Sequence, residues 1–223
     1  MANFTDEVVR ICNEQWEFFD RGKRKEYQKK VFRRVGDFWR EGVDLSGRTG
    51  RSQVDFGNLD KDDPEVIVPS GRNKNPAWSA AFISFVAKKS GAGPNFLYSG
   101  AHAKYILAAL HEAAKPNSTA KFIARRHTQH KPQIGDLIAC GRESAKTATF
   151  DTAEDFADEN GFFPSHCDFV IEIGADFVRT MGGNVGNSVG RKNWPLNAQG
   201  RIGNHDPQSR SANVICIIDC LLP

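Results

Sequence analysis

The segment "NPAWSAAFISFVAKKSGAG", Asn75 to Gly93, sets a serine at the entrance of an apolar helix. A side chain there sits among the unpaired backbone N–H groups of the first turn, at the positive end of the helix dipole. That field favours a developing anion. Ser79 therefore reads either as a nucleophile beside a ready-made oxyanion hole or as an N-cap, the commoner use of serine before a helix. A hydroxyl titrates far above neutral pH and needs a base next to it. Of the six histidines, His166 suits that task best, because it opens the apolar strand "HCDFVIEIG" and a strand mouth can reach into a groove. His102, at the start of the helix "SGAHAKYILAALHEAA", reads as a cleft residue, and Trp78 beside the serine as another. His127 and His130 lie in the polar stretch "RRHTQHKP", where HxxH spacing without a third ligand is a weak metal signal.

A third position follows from the strands. If Gly174 to Asp176 close a hairpin, Ile173 pairs with Phe177 and Asn184 falls opposite His166. Directly opposed side chains stand about 5 Å apart at Cβ. Asn184 would then hold the imidazole in one tautomer, as an asparagine does in papain-type sites. The alternative is a turn-forming asparagine in "GGNVGN", and a one-residue slip would put it on the other face.

These residues need elements to position them. Apolar spacing predicts helices from Thr5, as N-cap, to about Asp20, from Lys25 to Glu41, and from Ser99 to Ala114. Ala80 to Lys89 is apolar on nearly every face, so this helix should be central, with Gly91 stopping it. The stretch from Gly42 to Asn75 is rich in Gly, Ser, Asp and Asn and reads as a long connection that shapes or roofs a site. Leu137 to Cys140, the hairpin around Gly174-Ala175 and "ANVICIIDCLL" are the strand candidates. Asp136, in the turn before the first of these, reads as structural, its carboxylate bonding nearby backbone N–H groups. Helices first and an antiparallel sheet later make an α+β chain. All 223 residues form one domain, with N-terminal helices and the long loop over 1–75 and the core over 76–223.

Composition narrows the partners. A net charge of +3 does not imply nucleic acid, although Arg21 to Arg40 carries nine Lys/Arg against two acids and reads as a solvated helix face. Five cysteines form neither a CxxC pair nor a metal-type spacing, and their odd number argues against a complete disulfide framework. No metal or organic cofactor is implied. No apolar run approaches membrane-spanning length, and "MANFTDEVVR" lacks the layout of a signal peptide.

With those segments in view, the chain resembles the NlpC/CHAP branch of papain-like bacterial cell-wall peptidases and amidases. Within it, the chain is similar to a bacterial domain-of-unknown-function family with serine at the nucleophile position. The resemblance rests on "PAWSAAFISFVAKKSG", "FLYSGAHAKYI", "PQIGDLIACGR", "HCDFVIEIG" and "MGGNVGNSV", in that order. It implies a papain-like fold and an amide bond of a peptidoglycan stem peptide as substrate, with Ser79 as nucleophile, His166 as base and Asn184 as the orienting residue. The wider superfamily uses cysteine where Ser79 stands, so the alternative is a non-catalytic cell-wall or protein-binding module that keeps the groove. It also implies synthesis in the cytoplasm, action in the periplasm or a target-cell envelope after non-classical delivery, and the life of an antibacterial effector or lysis enzyme. An immunity or delivery protein would then be a partner.

Overall fold

The computed structural model describes residues 3–26, 28–43 and 77–223. The expected long connection lies, beyond Val43, outside these residues, as does Tyr27. Among them the chain forms four α-helices and seven strands, in the order α1 (Phe4–Phe18), α2 (Lys29–Asp37), α3 (Ser79–Lys89), α4 (His102–Ala113), β1 (Phe122–Arg125), β2 (Leu137–Gly141), β3 (Ser165–Ile173), β4 (Phe177–Gly182), β5 (Gly190–Pro195), β6 (His205–Asp206) and β7 (Ser209–Cys220). All strand pairings are antiparallel, in the order β1-β7-β2-β3-β4-β5 with β6 added to β7. The architecture is α+β.

The helical patterns hold with shifted ends. Asn3, not Thr5, caps α1, its Oδ1 accepting the Asp6 N–H at 2.8 Å. The second helix is shorter than its periodicity predicts. It widens after Asp37 into a π-turn over Phe38–Gly42, and Val31, Phe32, Val35, Phe38 and Trp39 still face inward. α3 is central as expected: every residue from Ser79 to Ala87 is buried. Its Phe82 and Ile83 are fully enclosed, each contributing about 1.5–3 kcal/mol of burial.

The sheet is covered on both sides, which is why β2 reads as an unbroken apolar run. Leu137 and Ala139 join the helices in the larger core, while Ile138 and Cys140 join Val170, Trp194 and Ile217 in a smaller one. β1 and β5 do not stand out in the sequence: "FIAR" is only four residues long, and "GRKNWP" carries three polar residues in a row. Among the described residues no helix is long and apolar enough to cross a membrane.

Candidate active site

Ser79 opens α3 but does not cap it. The N-cap position is Trp78, and no side chain caps the helix. The serine hydroxyl instead meets Nε2 of His102 at 2.7 Å. The first-turn N–H groups of α3 thus have no side-chain capping acceptor, which leaves donors an oxyanion could use.

His102 reaches Ser79 because the two helix starts are pinned together. On α3, the Ser84 hydroxyl donates to the Ser99 carbonyl at 2.9 Å and accepts the Ser99 N–H at 3.0 Å. Three residues later α4 begins with His102. Tyr105, one turn on and on the same helix face, bonds Nδ1 of the ring, and its hydroxyl is itself bonded to Cys167. A proton on Nδ1 directed at Tyr105 leaves Nε2 as the acceptor for the serine. Burial, with the nearby charge of His166 second, holds the His102 imidazole well below the ordinary histidine range. It is therefore neutral at physiological pH and free to accept a proton.

His166 stands against His102 edge to face, ring centroids 5.1 Å apart. Its Nε2 is held by Oδ1 of Asp168 at 2.8 Å. Residues two apart in a strand point the same way, so the spacing His166-x-Asp168 in β3 builds this pair directly. Nδ1 of His166 has no hydrogen-bond partner among the described residues. Asp168 is enclosed, and burial alone would raise it; Lys192 at 3.1 Å from Oδ2, together with His166, outweighs burial and keeps it ionised. Gly182, opposite on β4, makes room: a Cβ there would lie 1.8 Å from Oδ1 of Asp168.

The four predicted positions other than His166 fall out differently. Ser79, His102, His166 and Asn184 line one cleft of about 420 Å³, together with Arg142 and Phe162. Trp78 does not line it: it is fully buried, stacked on Phe19 and Phe38 with its indole N–H on Glu26. Asn184 has left-handed backbone (φ 55°) beyond the end of β4 and is not paired with His166. Asp168, not Asn184, orients the ring. The ring nitrogen touching Ser79 is that of His102, not His166.

One further imidazole–carboxylate group could in principle hold a cation: His130, Asp136 and Asp219. Three of its four carboxylate oxygens are already engaged. Asp136 accepts the N–H groups of Gln133 and Cys220 at 2.8 and 2.9 Å, and Asp219 accepts from Arg125 at 3.0 Å.

A family profile described as "Uncharacterized protein conserved in bacteria (DUF2272)" matches residues 26–215. The chain belongs to this family. The DUF2272 match takes in every cleft residue named above and leaves α1 and the end of β7 outside it. No curated protein and no solved structure matches the chain.

Proposed function

We propose that this chain is a serine hydrolase of amide bonds, acting on peptidoglycan stem peptides from a papain-like arrangement of helix and sheet. The observation that carries the reading is the Ser79 Oγ to His102 Nε2 contact of 2.7 Å, in a cleft shared with the His166–Asp168 pair. What supports the papain-like comparison is a buried helix bearing the nucleophile at its tip, packed on an antiparallel sheet that bears an imidazole.

In the first half-reaction the Ser79 hydroxyl gives its proton to Nε2 of neutral His102 as its oxygen attacks the carbonyl carbon. The oxyanion is met by the first-turn N–H groups of α3. As the C–N bond breaks, Nδ1 of His166, whose Nε2 is held by Asp168, delivers a proton to the leaving amine. In the second half-reaction His166 takes a proton from the attacking water, and His102 returns its proton to the serine oxygen. Both rings end as they began. Phe162, 48% exposed at the cleft lip, offers apolar surface to the substrate. A chain with this substrate acts in a cell envelope, as a delivered effector or lysis enzyme.

Purified sacculi test the reading. Wild-type protein should release new muropeptides detectable by mass spectrometry, and Ser79→Ala should release none. Sacculi that retain the wild-type protein but stay intact would instead identify a non-catalytic binding module.

A further inference from the structure

Two charged side chains of the cleft lining, Arg142 and the exposed Glu143, have no part in the steps above. Arg142 follows the last residue of β2 and lines the same wall as Ser79, His102 and His166. One Nη lies 2.9 Å from Asp206, whose same oxygen also holds Lys192 at 2.8 Å. Lys192 in turn holds Asp168. Two carboxylates and two cations thus balance, and the last cation of the row opens on the cleft. Nε and the other Nη of Arg142 have no partner among the described residues, and neither is among the sealed, unbonded atoms.

The backbone around Arg142 is built to hold it there. Its N–H donates to the Pro164 carbonyl at 2.9 Å, and its carbonyl accepts from Ala145 at 2.7 Å. The turn this closes is so tight that a Cβ on Gly141 would lie 1.9 Å from the Ala145 carbonyl oxygen. The next residue, Glu143, takes a left-handed φ of 46°, a strained conformation for a non-glycine residue. A strained turn that seats a half-used guanidinium beside a nucleophile is what a planar anion receptor requires, since Arg presents paired donors matched to a carboxylate.

The geometry points to Arg142 as the carboxylate anchor of this cleft: the substrate carries a free carboxylate close to the bond that Ser79 attacks. This rests on the hydrolase reading for the identity of the bond, but the anchor is tested by binding alone. Succinate and its diamide are titrated into the full-length Ser79→Ala protein, following the Arg142 Nε–H resonance by NMR. Succinate should shift it saturably and the diamide should not; no shift with succinate overturns the anchor, whatever the sacculus experiment gives. A synthetic stem tetrapeptide and its C-terminal amide then measure selectivity. The acid should bind Ser79→Ala at least about tenfold tighter than the amide, a span typical of one charge-assisted pair. Arg142→Gln should abolish that preference, and Arg142→Lys, which keeps the charge next to Asp206 but not the fork, should retain only part of it. Equal binding of acid and amide, or a preference that survives Arg142→Gln in protein with an unchanged thermal midpoint, would overturn the proposal.

Discussion

His166 meets Asp168 at 2.8 Å, and His130 meets Asp136 at 3.0 Å: the same chemical pair in two settings. Around His130 the bonded carboxylate is spent within the fold. The Asp136 carboxylate gathers backbone N–H groups from Gln133 and Cys220, tying the turn before β2 to the end of β7. Burial raises Asp136 despite those bonds, whereas Lys192 helps drive Asp168 the other way. Around His166 a buried cation fixes the carboxylate, and a second imidazole stands against the ring in the cleft. An acid–imidazole pair becomes a candidate for chemistry through what is left over once the fold has been satisfied.

The sharpest way to break this contrast is by activity. Ser79→Ala should lower sacculus cleavage by at least about 1,000-fold, and His102→Gln by about 100- to 10,000-fold, the range of a lost general base. His130→Gln should leave turnover within about twofold, as expected of a site outside the cleft. A His130 effect as large as that of His102 would erase the distinction. Stability separates the carboxylates next. Lys192→Met removes the buried cation shared by Asp168 and Asp206 and should cost about 3–5 kcal/mol in urea unfolding. Asp136→Asn, whose amide nitrogen cannot accept one of the two backbone N–H groups, should cost about 1–3 kcal/mol and leave turnover intact.

Acidity gives the two regions opposite signs. The folded His102 value is depressed, so its contribution is present above the ordinary histidine value near ~6.5 and is lost as pH falls toward the folded value. The folded His130 value is raised by its bond to Asp136, so its contribution is full below ~6.5 and fades as pH climbs through the folded value. Thermal midpoints against pH, wild type minus His102→Gln and wild type minus His130→Gln, should slope in opposite directions; parallel slopes would contradict both assignments. The acid limb of kcat/KM should likewise lie below the usual histidine range. The smallest effect concerns placement. Ser84→Ala should cost about 1 kcal/mol for its lost hydrogen bonds, with a fall in kcat larger than in unfolding cooperativity, because the start of α4 is no longer tied to α3.

Much of this contrast was legible in the residues. The central helix announces itself through apolar side chains on all faces, and a histidine at the mouth of an apolar strand is a short-range signal. The His166-x-Asp168 spacing is legible too, since alternation in a strand puts the two side by side. The hairpin register illustrates the limit. Ile173 pairs with Val178 rather than Phe177, and a bulge between Val170 and Glu172 then restores the expected pairing at Phe169 and Met181. The register near the site is right, yet β4 ends at Gly182, so Asn184 never reaches a partner across from His166. His102 on Ser79 was beyond local patterns altogether. That contact depends on how two helices pack, and on one serine hydroxyl that fixes them.

Gly182 sets how much tolerance the His166–Asp168 pair has. Its backbone is not left-handed, so alanine is conformationally admissible there, and the only objection to it is the oxygen 1.8 Å away. A single methyl group would therefore act as a wedge, prising carboxylate from imidazole while strand and turn keep their shape. The pair is hostage to an empty space no larger than one carbon atom on the neighbouring strand.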